Sequence, residues 1–256
     1  MSFSNSNSIN LSMMTTKHIA PVYFLNPGHK ISVCVVGVGG TGSQVLTCLA
    51  RINATLLALD HPGLQVTAID PDTVSEFNLG RQLFSKPDVG RFKTDVLIER
   101  INRFYGLNWE SAPHKVQQYK KLYYNIIISC VDSVHARKMI KNRFKITKSC
   151  RTDFTRSYYW MDFGNGNNSG QVILSDGKKL KDIFILFPEF INQKTSDDTP
   201  SCSVAAAILK QDLFTNGTLA MLGCDLLWKL LHDGTIEHQG LFMNLETLTV
   251  KPIKIK

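Results

Sequence analysis

With 256 residues, 43% of them hydrophobic and 20% charged, the chain can bury a full core without disulfide or metal staples. Its formal charge of +8 comes from Lys and Arg scattered along the sequence, which suits a solvated basic surface or attraction to phosphates or an acidic partner. Six cysteines, none in a CxxC pair, exclude a disulfide framework and a zinc site, and no apolar run is long and uncharged enough to span a bilayer.

In chain order, residues 1–20 are rich in Ser, Asn and Thr and are expected to be mobile rather than a signal peptide, so a reducing cytoplasm is the expected home. The run ISVCVVG (31–37) predicts a strand buried on both faces, and SQVLTCLARI (43–52) predicts a helix behind a glycine turn. NATLLALDHPG (53–63) is expected as an insertion before a second strand, LQVTAID (64–70). DVGRFKTDVLIERINRFYG (88–106) has helical spacing, with Val96, Leu97, Ile101 and Phe104 on one side. NWESAPHKV is a weak strand, NIIISCV (125–131) a strong one, and Asp132-Ser133 caps a helix through HARKMIKNRF.

Beyond residue 150 the pattern changes. SYYWMDFG and SGQVILSD alternate like antiparallel strands, and INQKTSDDTPSCS reads as a polar loop. Residues 204–231 predict two short helices broken at Thr215-Asn216-Gly217, and the last twenty residues a hairpin. The expected fold is α/β: a Rossmann-like, doubly wound, largely parallel sheet extended by antiparallel strands in the C-terminal half.

The chemistry-bearing residues gather at strand ends. Gly37, Gly39 and Gly42 form a GxGxxG between a strand and a helix, where a tight turn lets phosphates approach a helix N-terminus. Asp70 ends the second strand, where it can bind ribose hydroxyls or cap the turn before Pro71, with Asp72 the better capping residue. Asp132 follows the next parallel strand, and is either a Mg²⁺ ligand beside phosphates or a helix N-cap. Arg81 and Lys93 fall between these acids, and with a metal they suit a reaction that builds charge on phosphate.

Taken together, GVGGTGS, IDPDTV, NLGRQ, VGRFK and SCVDSVHAR resemble the successive motifs of the ThiF/MoeB/HesA superfamily of adenylating enzymes, over roughly residues 31–140. TPSCSVAAAILKQDLF and the helix after it are similar to a narrower group, the ThiF-like members of bacterial PRTRC cassettes. The resemblance implies one adenylation domain over residues 21–256. Its nucleotide-binding half would be 31–145, and its partner-binding and dimerisation half 146–256. It implies ATP-dependent adenylation of the C-terminal carboxylate of a ubiquitin-like or other small protein, with release of pyrophosphate. Gly37, Gly39, Gly40 and Gly42 would then cradle the nucleotide, Asp70 would bind ribose, and Asp72 matches the second acid of the pair. Asn78, Arg81 and Gln82 would contact phosphates and the incoming carboxylate, Lys93 would neutralise phosphate charge, and Asp132 would hold Mg²⁺. Arg137 matches an Arg of structural role.

Cys202 is the candidate thiol for a later thioester, set before a helix whose N-terminus lowers a thiol pKa, though Asp197 and Asp198 oppose this. Three features depart from the family pattern. The first Arg in the chain is Arg51, where many members supply an Arg from an N-terminal segment; Ser133 follows the Mg²⁺ acid in place of Asn; and the zinc-binding CxxC pairs are missing. Homodimerisation is expected through the C-terminal helices, with Leu219, Leu222, Leu226, Leu227 and Leu230 serving either that interface or the core. Neither a membrane nor direct nucleic-acid binding is expected. Two other readings stand beside this one: an NAD-binding Rossmann oxidoreductase, which leaves Arg81, Gln82, Lys93 and Asp132 without work, and a non-catalytic nucleotide- or partner-binding module.

Overall fold

A computed structural model describes residues 16–191 and 212–255. Eight strands form one mixed sheet, and its alternating side chains divide the core into two layers. Strands β2 (Ile31–Val36), β3 (Leu64–Ile69), β4 (Glu110–Ala112), β5 (Ile126–Ser129) and β6 (Tyr159–Asn165) run parallel. They are joined by helices α2 (Gly40–Ala58), α3 (Lys93–Tyr105) and α4 (Val134–Lys148). β7 (Ser169–Ser175), β9 (His238–Asn244) and β10 (Thr249–Lys254) extend the sheet antiparallel, in the order β10-β9-β7-β6-β5-β2-β3-β4. A short helix, α5 (Ile183–Leu186), follows β7. The expected α/β sheet with an antiparallel C-terminal extension is what the chain forms.

The period of two explains the layers. Ile31, Val33 and Val35 of β2 point to the face covered by α2, α3 and α6 (Thr215–His232), while Cys34 and Val36 point to the face covered by Ile140 and Phe144 of α4. β5 and β6 alternate likewise: Ile128 and Met161 face the first layer, Ile127 and Trp160 the second. A side chain that points either way enters apolar packing, which is why these strands read as continuous hydrophobic runs.

Several boundaries differ from expectation. The helix after the glycine turn continues to Ala58, because Ile52 and Leu56 still find the first layer; most of the expected insertion is helix. Phe104 is 79% exposed and packs edge-on against Tyr105 instead of the core, because α3 ends at Gly106, in a left-handed conformation (φ 66°), before another turn could bury it. Thr215-Asn216-Gly217 opens the helix α6, which runs through His232, while residues 204–211, where the first of the two expected helices falls, lie outside the described residues. In α6, Leu219, Leu227 and Leu230 are buried in the chain's own core, leaving Leu222 and Leu226 half-buried and Met221 outward.

Residues 1–15 of the segment expected to be mobile, most of the polar loop and Cys202 lie outside the described residues. Within that N-terminal segment, β1 (His18–Ile19) pairs antiparallel with β8 (Thr235–Ile236), behind α1 (Val22–Leu25). Among the described residues, no helix is long and apolar enough to cross a membrane.

Candidate functional site

Register brings the site together. Val36 pairs with Ile69 and Ser129, Ile69 with Ala112, and Ser129 with Asp162, so four parallel strands finish level at their carboxyl ends and β6 runs on from there to Asn165. The residues just beyond those ends line a cleft of about 630 Å³.

One wall is the glycine turn. Gly37 sits at φ +89°, and a Cβ there would meet the Cys130 carbonyl oxygen at 2.6 Å. A Cβ on Gly42 would lie 1.9 Å from the Gly37 carbonyl oxygen, so the turn closes on itself only because both positions are bare. Gly39 and Gly40 line the cleft at the start of α2, whose first turn has no side-chain cap. Its amides, and the positive end of a 19-residue helix, are therefore presented to an anion.

The turn cap falls to Asp70, the alternative weighed for it, and not to Asp72. The Asp70 carboxylate accepts the Val38 N–H at 2.6 Å and the Asp72 N–H at 2.8 Å, so Asp70 is the residue that caps the turn while lining the cleft. Burial pushes its carboxyl up from the ordinary value, against the pull of those two amides and of Lys93. Asp72 projects outward, its side chain 62% exposed, and accepts from Lys93 Nζ at 3.0 Å; the Lys93 side chain is only 8% exposed.

A second wall comes from NLGRQ. Arg81 and Gln82 line the cleft, and each leaves a buried polar atom, Arg81 Nε and Gln82 Oε1, without a hydrogen-bond partner among the described residues. Arg81 is otherwise tied only through Nη2 to the Phe77 carbonyl, at 3.3 Å. Asn78 does not line the cleft: its Oδ1 accepts from the Ser75 N–H at 2.8 Å and the Ser75 hydroxyl at 3.1 Å, closing a capping box around a short 3₁₀ turn. Local capping therefore replaces the phosphate contact expected of it.

Asp132 lines the cleft, is exposed, and makes no hydrogen bond with another described residue. The cap of α4 is Ser133, whose hydroxyl accepts the Ala136 N–H at 3.3 Å, so capping leaves Asp132 free. A carboxylate left open beside a phosphate-accepting helix terminus fits Mg²⁺, which needs one or two protein carboxylates and takes its other ligands from phosphate and water. Arg137 is in the core instead, paired with Asp162 at 3.2 Å and donating to the Phe163 carbonyl at 3.0 Å, which ties α4 to β6.

Five cleft residues escaped the sequence reading. His114, Lys115 and Gln117 follow β4, whose weak pattern hid the fact that it ends at the same edge. Asn165 ends β6, and Asn216 comes from the first turn of α6. Asn216 Oδ1 accepts from Thr41 Oγ1 at 2.9 Å and from Asn165 Nδ2 at 2.8 Å, joining two helix starts and a strand end. Nothing local in the sequence announces that junction. Cys130 also lines the cleft, and burial raises its thiol well above the ordinary range, which suits packing and not nucleophilic attack.

A family model for the ThiF family matches residues 25–250. The chain belongs to the ThiF family. Among relatives, the tRNA threonylcarbamoyladenosine dehydratase of Escherichia coli (strain K12) is 33% identical over 115 residues, 41% of this chain and 38% of that protein. Among solved structures, E. coli MccB with AMPCPP and MccA superimposes with a TM-score of 0.60 at 17% identity, covering 88% of this chain and 64% of MccB. E. coli MccB with ATP gives 0.61 at 16% identity, covering 91% and 65%. The chain thus spans well under half of the dehydratase and just under two thirds of MccB, and the likeness to MccB is one of fold.

Proposed function

We propose that this ThiF-family chain adenylates the C-terminal carboxylate of a small protein of the ubiquitin-like kind, using ATP with Mg²⁺. A carboxylate oxygen attacks the α-phosphorus, the bond from that phosphorus to the bridging oxygen breaks, and pyrophosphate departs with the electron pair. The product is an acyl adenylate.

The observation that carries this reading is the pair of buried polar atoms without a partner among the described residues, Arg81 Nε and Gln82 Oε1, on side chains that line the same cleft as an uncapped helix terminus and the open Asp132 carboxylate. Buried polar groups are almost always satisfied, and orphans at a cleft mark what a ligand completes. Two anions must meet in this reaction, so the cleft has to offset repulsion and hold both reactants in line. In this reading the amides of Gly39 and Gly40 receive phosphate oxygens, Gly37 and Gly42 keep the turn tight enough for approach, and Asp70 takes the ribose. Arg81 and Gln82 hold the α-phosphate and the incoming carboxylate. Lys93 supplies positive charge, with Asp72 keeping it in place. Mg²⁺, held by Asp132, would offset charge on the phosphates.

The relatives bear on this unevenly: MccB was crystallised with ATP, which favours the nucleotide, whereas the dehydratase is named for a tRNA nucleoside, so a protein carboxylate rests on the motifs. A PRTRC-like membership rests on the segment around Cys202. We include homodimerisation in the proposal, with Met221, Leu222 and Leu226 as the outward part of α6. The test is mass spectrometry of small candidate proteins incubated with the enzyme and MgATP. A partner gaining the mass of AMP at its C-terminus, or its hydroxamate in the presence of hydroxylamine, is the expected result. ATP bound with no adduct on any partner that binds the enzyme would leave only a nucleotide-holding module.

A further inference from the structure

The basic charge is not spread as the sequence suggests. Residues 115–151 hold ten Lys and Arg against one acid, Asp132, while the rest of the chain holds nineteen against twenty. This segment supplies the loop after β4, the buried strand β5 and helix α4, so its charge is carried by the loop and the helix.

Loop and helix form one surface. Val116 and Leu122 pack with Ile140 and Phe144 in the same core layer, and Arg143 of α4 donates to the Tyr119 and Gln117 carbonyls at 2.5 and 3.3 Å. Inner-facing cations have carboxylates: Arg137 pairs with Asp162, and Lys141 with Asp182. Lys115, Lys120, Lys121 and Lys145 are exposed, and neither they nor Arg151 has a carboxylate within ion-pair distance among the described residues. Elsewhere among the described residues some exposed cations are paired, as in Arg91–Glu99 and Lys229–Asp225, and others such as Arg51, Lys86 and Arg103 are not, so what sets 115–151 apart is its ten cations against one acid. A surface with so large an excess of one sign focuses its field outward and steers partners of opposite sign.

We propose that the outer face of α4 and the loop before β5 dock an acidic protein, whose C-terminal tail enters the cleft past Lys115. Deepening the adenylation reading and resting on it, this names the partner's chemistry. Continuity supports it: Lys115 and Gln117 line the cleft and belong to the basic segment. α4, at 15 residues, is about 22 Å long, the scale of one face of a small domain. A folded protein fits better than a nucleic acid, because Tyr123 is the one exposed aromatic between 115 and 151, and Lys121 lies over its ring at 5.7 Å. Single strands are held by rows of open rings, and none is offered.

The test uses the full chain and a triple variant, Lys120→Glu, Lys121→Glu and Lys145→Glu. Two fluorescent probes are compared by anisotropy: a peptide of about 20 residues, mostly glutamate and ending in Gly-Gly, and a uridine oligonucleotide of about the same length. The peptide is expected to bind the natural chain, to weaken about tenfold between roughly 50 and 200 mM salt, and to weaken about tenfold in the variant. The variant's melting temperature and its rise with MgATP should match those of the natural chain, which separates lost docking from lost folding. Tighter binding of the oligonucleotide than of the peptide would overturn the proposal, as would undiminished peptide binding by the variant. Peptide binding lost in the variant, with no effect of MgATP on either chain, would support the surface and remove the adenylation reading.

Discussion

The two walls of the cleft are built on opposite terms. On the glycine side only the uncapped amides of α2 are left over: the turn closes on Gly37 and Gly42, Asp70 spends one oxygen on Val38 and the other on Asp72, and Asn216 ties α6 to α2. On the NLGRQ side Asn78 is absorbed by its own 3₁₀ turn, but Arg81 and Gln82 keep buried polar atoms that no described group satisfies. The first wall is a finished scaffold and the second waits for something to bind. Shape comes from the first and chemistry from the second.

The largest expected effect breaks the finished wall. Gly42→Ala sets a methyl 1.9 Å from the Gly37 carbonyl oxygen, and neither backbone can yield without moving β2 or α2. Overpacking of this kind costs about 1–3 kcal/mol or more. The melting temperature should fall by about 5 °C or more, and ATP should no longer raise it. An unaltered melting temperature would mean the turn is slack. The other wall should respond in the opposite sense. Arg81→Ala removes only a 3.3 Å bond to Phe77, so thermal stability should hold while the rate of adenylate formation falls by about 10²–10³. Asn78→Ala completes the contrast with the smallest effect. It loses the capping box, about 1 kcal/mol, and should leave ATP affinity nearly unchanged; a rate loss as large as that of Arg81→Ala would return Asn78 to the phosphates.

Much of the first wall was legible because its signals are local. β-branched runs announce buried strands, and glycines at fixed offsets after one of them announce a phosphate-approach turn. Arg81, Gln82 and Asp132 stood out by order and spacing of motifs, and all three line the cleft. The capping part of Asn78 was also signalled locally: Ser75 three residues before it is the signature of a capping box. The turn cap went to Asp70 and not Asp72 because capping depends on which carboxylate the turn folds beneath, which sequence order does not fix. His114, Asn165 and Asn216 were out of reach, since they meet only through the level strand ends and the docking of α6 on α2. Concentration of charge into 115–151 needed only a window count, but its meaning needed the knowledge that β5 is buried and α4 is not.

The central claim is that this cleft holds ATP with Mg²⁺ against Asp132. Calorimetric titration of ATP, with and without Mg²⁺, into the natural chain and Asp132→Asn tests it most directly, with NAD as the competing ligand. The account predicts that ATP binds, that Mg²⁺ tightens it in the natural chain, and that the Mg²⁺ effect disappears in Asp132→Asn while the melting temperature is kept. Binding of NAD in place of ATP, or a Mg²⁺ effect undiminished in Asp132→Asn, would contradict it.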